Sequence, residues 1–190
     1  MAKRLLPVLL VMIAALLVFI FTRPNTYHVE RSATIATPAD PAFVMVNNFR
    51  RWQDWSPWGK IDPRMKVSYS GADSGAGAIY HWVGNKDVGE GQMAILESVA
   101  NEKIAIKLDF IKPFASTSVA TFAFVKAPAG TQVTWSMDGD QSFTTKAISL
   151  FMSMDQAVGK DFEKGLAQLK ARAEAAAPAA TPAAADSAHG

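Results

Sequence analysis

Three side chains in this 190-residue chain are candidates for handling a proton: Tyr80, Asp109 and Asp155. Asp155 lies four residues after Phe151, and Val158, Phe162, Leu166 and Leu169 continue the same stripe at helical spacing. A carboxylate on an apolar stripe is a candidate base, because burial raises its pKa. The competing reading is that Asp155 caps the long helix, with residues 148–154 forming a separate turn before it. Capping is the commoner job for Asp and is the stronger reading. Tyr80 and Trp82 fall on one face of an alternating segment, where a phenol O–H and an indole N–H could orient a ligand carbonyl. Buried Tyr and Trp also find such partners inside the protein itself. His81 then faces the other way, as a solvated surface histidine.

Other catalytic patterns are weak or missing. Gly75-x-Gly77 is followed by a strand-like run and not by a helix, which rejects a dinucleotide fingerprint. His28, His81 and His189 have no ligand-like spacing, so no metal site is expected. Ser56 and Ser136 lack a nucleophile-elbow context. Glu90 and Glu97 are seven apart, which across a strand puts them on opposite faces. With no cysteine, disulfides, thiolate metal sites and a cysteine nucleophile are excluded. No cofactor is implied.

The elements that must position these groups are mostly strands. From Met65 to Met137 the chain reads as six short alternating strands joined by tight loops at 71–77, 84–91 and beyond, followed by one long amphipathic helix from Ile148 to Arg172. Ile104, Ile106, Leu108 and Phe110 alternate with Ala105, Lys107 and Asp109. Ala120, Phe122 and Phe124 repeat the pattern, as do Val133, Trp135 and Met137. The strands share one greasy face. A curved antiparallel sheet around a single helix seldom fills its own concavity, so an apolar pocket between the two is the default site. Phe110, Phe122, Phe124, Trp135, Phe151 and Phe162 are expected to line or floor it. Upstream, Tyr27 to Ile35 reads as a first strand. Thr37 and Pro38 then start a helix, and a second short helix covers Phe49 to Trp55, stopped by Ser56-Pro57. In that second helix Trp52 and Trp55 come onto one face, with Trp58 following. They are either an aromatic gate at the pocket mouth or packing under the sheet edge. Packing is the stronger reading, with membrane-interface anchoring a distant third.

The N-terminus carries a different signal. Leu5 to Phe21 is an unbroken apolar run of about 17 residues interrupted only by Pro7, about 25 Å as a helix. It exceeds a usual signal-peptide core and lacks small residues at its end, so residues 1–23 read as an uncleaved signal anchor, a transmembrane helix. Lys3 and Arg4 bias its N-terminus to the cytoplasm, which in a bacterium places the rest in the periplasm as a single-pass protein. Without those two, the 19 basic residues fall to 17, equal to the 17 acidic ones, so nucleic acid is poorly supported as a partner. Residues 24–173 suffice for one domain with a real core. Residues 174–190, mostly Ala with Pro178 and Pro182, read as a disordered tail.

The order strand, two short helices, six strands, long helix resembles the helix-grip fold of the SRPBCC superfamily, an α+β class that groups START lipid-transfer domains, polyketide cyclases and pathogenesis-related plant allergens. Four strings carry the resemblance: Phe49 to Trp58 (FRRWQDWSPW), Tyr80 to Asn85 (YHWVGN), Val88 to Gly91 (VGEG), and Met154-Asp155 through Gly159 to Glu163 and on to Gly165-Leu166. Together they are similar to bacterial members labelled polyketide cyclase, over roughly Tyr27 to Ala173. The resemblance implies about seven strands around a long C-terminal helix, Tyr80 and Trp82 pointing inward, and Trp55 at the pocket end closed by the short helices. Fold alone does not choose among the superfamily's activities. The expected function is binding of a small apolar or amphipathic ligand, lipid or polyketide-like, without catalysis. The alternative is a cyclase or dehydratase-type enzyme using Tyr80, Asp155 or Asp109. A protein-interaction or envelope-assembly module is a third class.

Overall fold

The computed structural model describes residues 2–150 and 153–177, with side chains from residue 7 onward except that of Ile148. A first helix, α1 (Ala2–Phe21), leads into β1 (Thr26–Ile35) and α2 (Ala39–Asn47). A 3-10 turn (Phe49–Arg51) runs into the one-turn helix α3 (Trp52–Trp55), and a second such turn (Pro57–Lys60) follows. Six strands come next: β2 (Lys66–Gly71), β3 (Ala78–Val83), β4 (Glu90–Val99), β5 (Lys103–Lys112), β6 (Ser116–Ala127) and β7 (Gly130–Asp140). Two helices close the order, α4 (Phe143–Ile148) and α5 (Met154–Ala176).

The seven strands form one antiparallel sheet in the order β1-β7-β6-β5-β4-β3-β2. Alternation decides which face is buried. Ile104, Ile106, Phe122, Phe124, Val133 and Trp135 all enter one core, and Phe122 stands directly opposite Trp135 across β6 and β7. Register shifts between Glu90 and Gly91 and between Ile95 and Glu97 bend β4, which helps the sheet curl. The turn at 71–77 needs glycine: Gly71 has φ +74°, and a side chain there would meet the Gly77 carbonyl.

Helix α5 crosses the concave face beside β1 and buries Phe162, Leu166, Leu169 and Ala173, spaced three or four apart. Burial of each large one contributes about 1.5 to 3 kcal/mol. The helix starts at Met154, six residues later than the sequence periodicity suggests, because α4 is a separate turn capped by Ser142, which accepts from Thr145 N–H at 3.2 Å. At the start of α2, Pro38 holds the N-cap position without a side-chain bond, and the Thr37 hydroxyl donates to the Pro38 carbonyl. Helix α5 carries Glu174 to Ala176 in its last turn.

Among the described side chains none from α1 joins the core cluster of the sheet and α5. Helix α1 touches α4, and Ile20 is buried there. Among the described residues no helix is long and apolar enough to cross a membrane. The part of α1 with described side chains, Pro7 to Phe21, rises about 22 Å against a hydrocarbon core of about 30 Å.

Candidate functional site

The concavity is filled at one end and open at the other. Near α2 and the C-terminal half of α5 the sheet is covered by Phe43, Val46, Leu166 and Leu169. Toward the other end, where β5 turns into β6, a cavity of about 300 Å³ remains between the sheet, the N-terminal half of α5 and the segment around α3. Its wall is aromatic and thioether-rich: Trp52, Trp58, Tyr80, Trp82, Phe110, Trp135 and Phe162, with Met65, Met93 and Met137. Such a lining suits an apolar molecule of adaptable shape.

Each wall is fixed by a local device. Trp82 packs over β4 because Gly91 has no side chain; a Cβ there would collide with the Trp82 ring. Its indole N–H donates to the Val88 carbonyl at 3.3 Å. Trp135 stacks on Phe162 with centroids 4.0 Å apart and planes 9° apart, and on Phe122 behind it at 4.7 Å. Gly165 lets α5 approach, since a Cβ would meet Trp135 at 2.7 Å. Tyr80 accepts from Gln53 Nε2 at 3.5 Å. Burial, helped by neighbouring Tyr69, pushes the Tyr80 phenol up to about 12 against the lowering effect of that bond, so it remains protonated at neutral pH.

Of the side chains expected to meet a ligand, Tyr80, Trp82, Phe110, Trp135 and Phe162 border the cavity. Three expected ligand residues do not. Trp55 is fully buried behind the wall, edge-on to Phe122 at 6.0 Å and to Trp135 at 5.7 Å, with its N–H donated to the Met45 carbonyl. Phe122 backs Trp135 without reaching the cavity, and Phe124 packs on Phe43 of α2 at the filled end. Alternation tells which face a side chain takes but not which end of the strand the helices cover. Phe151 lies outside the described residues. Of the tryptophan triplet, Trp52 and Trp55 pack in the core, as the stronger reading has it, while Trp58 and one side of Trp52 border the cavity.

Two of the three proton candidates lie elsewhere. Asp109 faces the opposite side of β5 from Leu108 and Phe110; Thr117 donates to it at 2.7 Å and Lys107 pairs with it at 2.9 Å, and together they hold its carboxyl below the usual range. Asp155 neither holds the cap position of α5 nor borders the cavity. Its carboxylate takes a two-pronged bond from Arg31 of β1, at 2.7 and 3.0 Å, which holds its pKa down, while Glu163 accepts from Arg31 Nε at 2.7 Å. Ser153 occupies the cap position with no side-chain bond. What sequence reasoning missed is Asp161, one position before Phe162 and on the cavity side of α5, together with Asp87 at the rim and Gln53 beside Tyr80. The i, i+3 step from Val158 to Asp161 was the available signal. Among the described residues no group of His, Asp and Glu could hold a metal ion.

Solved structures share this architecture. The Zhui aromatase/cyclase from Streptomyces sp. R1128 is 16% identical, covers 82% of this chain and 98% of its own, and superposes with a TM-score of 0.59. A protein of unknown function from Staphylococcus aureus is 14% identical, with 79% and 94% covered and a TM-score of 0.60. A protein from Chromobacterium violaceum is 17% identical, with 80% and 99% covered and a TM-score of 0.55. At such identities the likeness concerns the fold. No curated protein sequence matches the chain. Over residues 26–174 it matches the family described as polyketide cyclase/dehydrase and lipid transport, and with that match, the helix-grip sheet and the cavity under its long helix, the chain belongs to this family of the SRPBCC superfamily.

Proposed function

We propose that the protein holds one small apolar or amphipathic molecule in the cavity between sheet and α5, without converting it, while α1 tethers the domain to a membrane. The cavity itself carries the reading: in a core where α2, α5 and the sheet otherwise interdigitate, about 300 Å³ stays open among aromatic and methionine side chains. Unfilled apolar volume is costly in a domain of this size, and a ligand offsets it.

Support for the tether comes from α1. Nearly all its described side chains from Val8 to Phe21 are exposed, a continuous apolar surface far larger than a soluble monomer tolerates. The apolar run extends back to Leu5, and Lys3 and Arg4 favour a cytoplasmic N-terminus, with the domain across the membrane. The joint between α1 and β1 is tied down: Asn25 accepts from Gln141 N–H at 2.6 Å and from the Lys146 ammonium. That joint, the β5–β6 turn with Phe114 at 71% exposure, and the cavity lie at the same end of the sheet. A tethered domain would therefore turn its cavity toward the lipid.

A second reading, a cyclase or dehydratase, is favoured by one observation: Tyr80 and Asp161 share the cavity, a protonated phenol and a carboxylate. Native mass spectrometry of gently extracted full-length protein separates the readings. A carrier holds an intact adduct that a Leu108→Trp variant, with the cavity filled, lacks. An enzyme would instead convert a poly-β-ketone test substrate, and Asp161→Asn would abolish that turnover with the fold intact.

A further inference from the structure

Exposed apolar side chains are not spread evenly over the domain. Outside α1, the exposed aromatic residues among those described are Phe114, in the turn between β5 and β6, and Phe143, at the first position of α4. Both stand past the same end of the sheet, the end where β1 begins and β7 finishes. Val83 and Ile111 are exposed there too, as is Ile61, next to Asp62, whose carboxylate accepts from Asn85 N–H in the β3–β4 turn at 2.8 Å. The loops at the opposite end, residues 36–38, 72–77, 100–102 and 128–129, hold no aromatic or branched aliphatic side chain. A single exposed phenylalanine is ordinary, whereas apolar groups gathered at one end mark a surface that something covers.

The position of α1 identifies the cover. Helix α1 ends at Phe21 and β1 begins at Thr26, so residues 22–25 separate them, a span of at most about 14 Å. The link is shorter still, because the Thr22 hydroxyl donates to the Phe19 carbonyl and the Arg23 guanidinium lies over the Phe19 ring. A bilayer that takes up α1 therefore passes close to this end of the sheet. Lys60, Lys66, Lys86 and Lys112, all exposed, surround the apolar groups, and aromatic rings flanked by cations suit the boundary between headgroups and acyl chains. The β5–β6 turn is also braced. Gly89, at φ +70°, lets the Lys112 carbonyl pack against the β3–β4 turn where an added Cβ would collide, and the Lys112 ammonium pairs with Glu90 at 2.7 Å. We infer that Phe114 and Phe143 seat this end of the domain in the interfacial layer of the bilayer that α1 enters, so that the domain is docked on the membrane and does not merely hang from its tether. This inference rests on the tether reading above.

The chain has no cysteine, so a single one introduced at an exposed position carries a fluorophore alone. The test places it at Ala115, beside Phe114, or at Asp73 in the 72–77 loop of the opposite end, in full-length protein held in phosphatidylcholine nanodiscs. On Ala115→Cys the fluorophore should be quenched by a lipid carrying a nitroxide on its upper acyl chain, about 5 to 10 Å below the headgroups, and shielded from iodide in the water. On Asp73→Cys the same fluorophore should show the reverse. Adding Phe114→Ser to Ala115→Cys should abolish most of the lipid-borne quenching, and high salt should leave it in place, because burial of the rings and not the lysines seats the turn. A fluorophore at 115 as open to iodide as the one at 73, in protein that stays with the discs, overturns the docking while leaving the tether intact. Shielding from iodide without quenching from the lipid overturns it as well, since a protein partner or a second copy then covers the patch. Unchanged quenching after Phe114→Ser removes the role given to Phe114. Protein that leaves the discs altogether overturns the tether reading, and this inference with it.

Discussion

Arg31 shows what a single residue can hide. It sits on β1 directly opposite Trp135 of β7, so it shares the concave face, yet its guanidinium reaches the rim and clasps Asp155 and Glu163 at the start of α5. Neither a proton role nor a cap for Asp155 anticipates this, because the partner lies 124 residues away. The sign of its pH dependence follows. With its folded-state pKa depressed, Asp155 contributes stability above its unfolded value of about 3.9 and loses it as pH falls through the folded value. Wild type should therefore exceed Asp155→Asn in stability by a constant, salt-sensitive margin from about pH 5 to 8, and the two should converge in acid. A margin that grows below pH 4 in urea titrations would show that the carboxylate is not held by Arg31. Tyr80 gives the alkaline counterpart. Followed by phenolate absorbance, Tyr80→Phe should remove a phenol that ionises only near pH 12, and loss of a phenol titrating near its ordinary value of 10 would place Tyr80 in solvent.

At the scale of elements, the strands were readable because a half-buried strand repeats with period two, and all six from β2 to β7 fall in the expected span except that β7 runs on to Asp140, three residues past its end. The start of α5 was legible only in part, because periodicity runs on from residue 148, whereas the capping reading of Asp155 already set residues 148–154 apart and missed the Ser153 cap position by two residues. The two glycines inside α5 signalled a close approach without naming its target. For Gly165 the target is Trp135 and the Pro57 ring; for Gly159 it is the tip of Arg31. The consequences differ. Gly165→Ala gains about 1 kcal/mol of helix propensity but pushes on a clamped indole, for which overpacking costs about 1 to 3 kcal/mol, so a net loss near 1 kcal/mol is expected. Gly159→Ala meets only the flexible end of a side chain and should come out near neutral while loosening the Arg31 clasp. Denaturant midpoints measure both, and a Gly165→Ala variant more stable than wild type would mean that α5 does not pack on Trp135 as described.

For the molecule as a whole, the fold followed from the order of elements, while the position of the cavity did not. Phe110, Phe122 and Phe124 lie on neighbouring strands of one face, and only the placement of α2 and α5 decides that the first borders open space and the last is covered. The tether belongs to this scale too. A C-terminal alkaline phosphatase fusion should be active and stay with membranes after carbonate washing; soluble activity with a new N-terminus between Thr22 and Thr26 would mean that α1 is removed. The account turns on the cavity accepting a ligand, and a titration of the full-length protein in amphipol with the apolar dye ANS tests that most directly. Wild type should bind one dye saturably at about micromolar Kd, roughly 8 kcal/mol, and Leu108→Trp should lose that site with its thermal midpoint little changed. Equal binding by the two proteins, or no saturable binding to wild type, would contradict it.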